Sequence, residues 1–129
     1  MTDFTIQEAA ERSGLSAHTL RYYERIGLLD RVARATGNQR RYDERDLAWL
    51  AFLQRLRATG MSIRTMRRFA DLRRAGEETF PDRRALLEDH RDEVLERIAE
   101  LQRDLQALTA KINLYQELEQ ERGYQRSQS

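Results

Sequence analysis

Apolar residues recur at helical spacing in four short runs and one long one, and polar caps punctuate them. Thr5-Ile6-Gln7-Glu8 has the Thr-x-x-Glu form of a capping box, and Ile6, Ala9 and Ala10 fall on one face of the run that follows. Gly14 stands at a C-cap position, and Leu15 leads into Ser16, which caps a second helix over about Ala17–Ile26 with Leu20 pointing inward. Two short helices across a tight glycine turn are the signature of a helix-turn-helix. Helical periodicity lapses from Asp30 to Tyr42, where Gly37-Asn38 marks a turn. The stretch predicts a small hairpin, or wing, with Arg31 and Arg34 on one arm and Arg40, Arg41 and Tyr42 on the other. Asp43 caps a third helix, about Glu44–Ala58, whose apolar face holds Leu47, Leu50, Ala51, Leu53 and Leu56, with Trp49 and Phe52 beside it. Gly60 ends that helix. Ser62 caps a fourth, about Ile63–Arg74, with Ile63, Met66, Phe69 and Ala70 recurring at helical spacing.

Residues 75–82 hold the only proline and predict a hinge. From Arg83 to about Glu119 there is neither glycine nor proline. Leu87, Val94, Ile98, Leu101, Leu105, Leu108, Ile112 and Tyr115 then follow with gaps that settle into alternating fours and threes, the seam of a coiled coil, interrupted by Arg91. A helix of about 37 residues is roughly 55 Å long at 1.5 Å per residue. So small a chain has nowhere to bury such a seam, and a second copy of itself is the simplest partner. The domain reading is therefore 1–74 for a DNA-binding unit, 75–82 for a hinge, 83–121 for a dimerisation helix and 122–129 for a polar, frayed tail. The fold class is mainly α: a winged helix-turn-helix followed by a long dimerisation helix.

Charge sharpens this division. The net charge of +1 conceals 13 arginines against 9 acidic residues in 1–72, and 10 basic against 13 acidic residues in 73–129. A basic first half suits nucleic acid, and the acidic second half suits assembly. With no cysteine, disulfides, thiolate metal sites and thiol switches are excluded. His18 and His90 are isolated from one another. No Ser-His-Asp set, glycine-rich phosphate loop or metal-ligand cluster occurs, so no enzyme, cofactor or metal is expected. No apolar run approaches the roughly 20 residues of a membrane span, and no secretion signal opens the chain, so a cytoplasmic location is expected.

Leu20-Arg21-Tyr22-Tyr23-Glu24, the trailing Ile26-Gly27-Leu28-Leu29, Arg40-Arg41-Tyr42, and Gly60-Met61-Ser62-Ile63 together resemble the MerR family of transcriptional regulators over about residues 4–72. The resemblance implies a homodimer joined by an antiparallel coiled coil. Each subunit presents a winged helix-turn-helix to half of a near-palindromic double-stranded DNA operator. The dimer bends and untwists the promoter to realign it for RNA polymerase. Carried onto this chain, the resemblance makes Arg21 and Tyr22 contacts to base edges or phosphates, and Tyr23 a backbone contact or a packing residue. Ser16 and Thr19 add phosphate hydrogen bonds, Arg40 and Arg41 are wing phosphate contacts, and Tyr42 braces the wing. Thr59 and Ser62 are candidates for a second wing. Adjacent helical residues point about 100° apart, so one of Tyr22 and Tyr23 must be partly structural.

The chain also departs from the pattern. Many members sense metals, oxidants or aldehydes through cysteines, and that mechanism cannot operate here. Others carry a large C-terminal drug-binding domain, whereas only about ten residues follow the seam. An unknown small-molecule effector remains a conceivable partner, with Phe80, Tyr115 and Tyr124 as aromatic linings, although packing of the dimer end explains them more simply. An architectural, excisionase-like DNA binder is the alternative function, and the long helix argues against it.

Overall fold

A computed structural model describes residues 3–30, 34–35 and 39–128, and for 34, 35, 39, 40 and 128 the backbone alone. Helix α1 (Ile6–Ser13) begins with the expected reciprocal box. The Thr5 hydroxyl accepts from the Glu8 amide at 3.2 Å, and the Glu8 carboxylate accepts from the Thr5 amide at 3.0 Å. These bonds hold the Glu8 carboxyl below its ordinary range. Gly14 closes the helix in the left-handed region, φ 77°, where a side chain would be strained. Helix α2 (Ala17–Arg25) follows, capped by Ser16.

Two short antiparallel strands, β1 (Arg34–Ala35) and β2 (Gln39–Arg40), pair Arg34 with Arg40 and Ala35 with Gln39. Residues 31–33 and 36–38, and with them Arg31 and the Gly37-Asn38 turn, lie outside the described residues. Beyond β2 the backbones of Phe4 and Tyr42 bond reciprocally, at 2.6 and 2.8 Å, and tie the start of the chain to the root of the wing.

Helix α3 (Glu44–Ala58) begins with a second box, in which Asp43 and Asp46 each accept the other's amide at 2.9 Å. The bond from the Asp46 amide draws the Asp43 carboxyl down, while burial pushes that of Asp46 up. Helix α4 (Ile63–Ala75) starts from Ser62 after the turn at Gly60. Leu20, Leu28, Leu29, Tyr42, Leu50, Leu53 and Met66 are the largest fully buried side chains. The core is thus shared by α2, the loop after it, the wing root, α3 and α4. Ala51, expected on the inner face of α3, is exposed; Leu50, Leu53 and Leu56 are buried as expected, and Trp49 beside them is buried too.

The expected hinge is ordered. Gly76, at φ 106°, turns the chain as only glycine does without strain. A 3₁₀ turn (Glu77–Thr79) leads directly into helix α5 (Phe80–Gln128). Pro81 does not delay that helix, because first-turn amides have no acceptor in any case. A clasp secures the corner. The Thr79 hydroxyl lies 2.6 Å from the Leu72 carbonyl and 2.7 Å from that of Gly76, and Arg83 donates to the Thr79 hydroxyl at 2.9 Å and to the Gly76 carbonyl at 2.6 Å. The expected frayed tail is helical as far as Gln128, for good helix formers surround Gly123.

The chain divides into two units, Met1–Glu88 and Asp89–Ser129. The first extends past the expected boundary at 74 because Leu86 and Leu87 pack against its core. The second is the remainder of α5.

Trp49 joins three elements of the first unit. Its indole N–H donates to the buried Leu28 carbonyl at 2.7 Å, and its ring stacks on Phe69 of α4 with centroids 5.7 Å apart. Trp49→Phe keeps most of the ring contact but orphans that carbonyl, and should cost about 1–3 kcal/mol in a urea melt. An unchanged midpoint would refute the role assigned to the indole bond.

Candidate nucleic-acid interface

Helix α2 shows the division of labour that helical geometry demands. Leu20 and Tyr23 face the core, while His18, Arg21, Tyr22 and Arg25 are exposed. Their spacing of i, i+3, i+4 and i+7 makes one solvent-facing stripe. The Arg25 guanidinium lies 5.6 Å from the centre of the Tyr22 ring and supports it from one side. Of the adjacent tyrosines, Tyr22 is 38% exposed and Tyr23 only 6%, so Tyr23 is the structural one.

His18 is weighed from the sequence only as an isolated imidazole, and Arg25 only as an exposed position of the helix with no contact assigned, yet both share the exposed stripe. The signal was available: stepping three, four and seven residues from His18 lands on Arg21, Tyr22 and Arg25.

The Ser16 hydroxyl accepts from the Thr19 amide and donates to the Thr19 hydroxyl, both at 3.0 Å. It is occupied in starting the helix, and Thr19 keeps its own O–H for donation. Helix α4 repeats the device, with Ser62 accepting from the Thr65 amide at 3.1 Å and donating to its hydroxyl at 3.0 Å. Thr65 therefore belongs beside Ser62 in any second wing. The Thr59 hydroxyl, another second-wing candidate, donates back into α3, 2.7 Å from the Arg55 carbonyl and 3.2 Å from that of Leu56. Arg64, Arg67 and Arg68 are exposed along α4.

In the wing, Arg41 is half-buried, and the side chain of Arg40 lies outside the described residues. Tyr42, counted among the DNA-contacting residues as a brace, is fully buried. Its ring lies in the core and offers no surface to a phosphate.

The residues expected to pair two chains divide as well. Leu87 packs on the core of the first unit, and Val94 is half-buried. Ile98, Leu101, Leu105, Leu108, Ile112 and Tyr115 are all exposed, Leu101 by 62%. Leu95, Leu114 and Leu118 are exposed too and widen the apolar surface beyond the expected seam. Phe80, in the first unit, is exposed beneath the Arg83 guanidinium, 4.6 Å from its ring centre; Tyr115 and Tyr124, in the second, are exposed.

A capped helix with an arginine- and tyrosine-bearing outer face, a hairpin behind it and a long C-terminal helix define a winged helix-turn-helix DNA-binding protein. Comparison with known proteins narrows the class. Residues 4–72 match the model of the MerR HTH family regulatory protein, and residues 47–111 match that of MerR, DNA binding. A Haemophilus influenzae protein described as an uncharacterized HTH-type transcriptional regulator is 42% identical over 113 residues, spanning 88% of this chain and 84% of that one. A crystal structure of HiNmlR, a MerR family regulator lacking the sensor domain and bound to promoter DNA, superposes with TM-score 0.81 at 41% identity, covering 90% of this chain and 92% of that one. A putative MerR family transcriptional regulator from Listeria monocytogenes superposes with TM-score 0.83 at 40% identity, covering 87% and 85%. The chain belongs to the MerR family of transcription regulators, and it is a regulator rather than an enzyme. Among the described residues no helix is long and apolar enough to cross a membrane.

The two tyrosines should separate under mutation. Tyr23→Ala should destabilise the fold by about 3–5 kcal/mol, as for other buried aromatic rings. Tyr22→Ala should leave the thermal midpoint nearly unchanged and register only in DNA titrations. Equal thermal losses would contradict the orientation described.

Proposed function

We propose that two copies of this chain pair through their α5 seams as an antiparallel coiled coil, and that the dimer regulates transcription from a near-palindromic promoter operator. The observation that carries this reading is the exposed stripe His18–Arg21–Tyr22–Arg25 on a capped helix. Residues at the N-terminal end of a recognition helix lie closest to base edges in the major groove. That favours His18 and Arg21 for base contacts, with Tyr22 and Arg25 nearer the phosphates. Arg41 and the wing, together with Ser62 and Thr65 at the start of α4, would grip the backbone on either side.

Dimerisation is supported by the exposed row from Ile98 to Tyr115, which has the spacing of a coiled-coil seam. A neighbour of this chain is described as bound to promoter DNA, which supports the same target here. Two half-sites held by one rigid dimer favour DNA that bends and untwists cheaply, and this distortion would realign the promoter for RNA polymerase. We assign residues 1–88 to DNA reading and the later turns of α5 to pairing.

Two measurements test the reading. Arg21→Ala should weaken binding to the preferred duplex by about 1–3 kcal/mol and relax preference at one base pair of each half-site. An equal loss on every sequence would assign Arg21 to phosphate instead. Ile98→Asp buries a charge in the seam and should yield monomers in sedimentation that no longer shift DNA at concentrations where the parent does. A monomer of undiminished affinity would sink the dimer.

A further inference from the structure

Arg74, in the last turn of α4, spends its guanidinium on the far end of the recognition helix. Its Nε donates to the Asp30 carboxylate, one terminal nitrogen donates to the Gly27 carbonyl, and the other to the Asp71 carboxylate at 3.0 Å. Gly27 and Asp30 flank the buried Leu28-Leu29 pair in the loop that follows α2. The middle of that loop is anchored separately: the Leu28 and Leu29 amides both donate to the Tyr23 carbonyl, at 2.9 and 3.1 Å, and Leu28 returns its carbonyl to Trp49.

We infer that Arg74 is a positioning residue for DNA reading, fixing the C-terminal end of α2 and, through Asp30, the loop after it relative to α4. The inference rests on the reading of α2 as the recognition helix. The side chains of Arg74 and Asp30 are 35% and 59% exposed, and ion pairs so open to water contribute little to stability. The buried loop centre holds the fold; the fork determines where the ends stand. A cation beside the last carbonyls of α2 also suits the negative end of the helix dipole. Three acceptors in different directions require a planar guanidinium, which the single ammonium of lysine cannot match. Base contacts depend on position far more than phosphate contacts do, so loss of the fork falls on sequence-specific binding first.

The test uses the full chain, a duplex enriched by the parent protein from a randomised pool, and a scrambled duplex of equal length. Arg74→Ala, and equally Arg74→Lys, should bind the enriched duplex about tenfold more weakly and the scrambled one within about twofold. Asp30→Asn should do the same, and the double variant should lose no more than the worse single one. The thermal midpoint should hold. Without DNA, hydrogen exchange at the Ile26 and Gly27 amides, which close the end of α2 that the fork holds, should quicken in each variant. Equal losses on both duplexes, or unchanged exchange at those amides, would overturn the role of Arg74. If the parent enriches no sequence, the recognition-helix reading falls, and the exchange measurement still decides whether Arg74 holds the loop.

Discussion

The bond from the Trp49 indole to the Leu28 carbonyl is the constraint on which the placement of α2 depends. A helix of nine residues such as α2 is too short to hold its own shape in water. Its inward face offers only Leu20 and Tyr23, so its position has to be imposed by its neighbours. The Ser16 cap sets its beginning. Its end is set by Leu28 and Leu29, both buried, and by Trp49, which satisfies the one carbonyl that their burial would otherwise strand. Trp49 is itself held between Phe69 on one side and the Arg73 guanidinium, 4.3 Å from its ring centre. The direction of α2 is therefore inherited from the packing of α3 on α4.

Much of this was legible in the residues because the signals were local. The Thr5–Glu8 box, the Gly14 turn, the Ser16 and Ser62 caps and the start of α3 at Glu44 each follow from a few adjacent side chains. What escaped the sequence was decided by distant partners. The 75–82 segment carries proline and glycine and reads as a hinge. Yet its order comes from the Thr79 hydroxyl reaching back to Leu72 and from Arg83 bonding Gly76, neither of which periodicity encodes. Leu87 falls in register with the seam, but the core of the first unit claims it. Tyr42 sits beside two arginines and looks like their companion at the surface, while its backbone pairing with Phe4 accompanies a ring turned inward.

The site was legible as an address more than as an arrangement. The Arg-Tyr-Tyr block marked a helix with an exposed basic and aromatic face, and the 100° step between neighbours required the two tyrosines to part company, as they do. Which of them was structural needed the core to be in place. Nor did composition point to His18, because a histidine acquires meaning only from the face it shares. The apolar row on α5 was read from spacing alone, and its residues from Ile98 to Tyr115 are exposed.

The outer face of α2 holds the guanidinium groups of Arg21 and Arg25, and of the 23 Lys and Arg residues in the chain only Lys111 is a lysine. A guanidinium does not lose its proton at any pH a cell survives, and it is no substrate for the acylation that neutralises lysines. The electrostatic attraction of this face for a polyanion is thus permanent for as long as the protein exists. Whatever silences or releases such a regulator must act on where these charges stand, or on how many chains are present, because the charges themselves cannot be switched off.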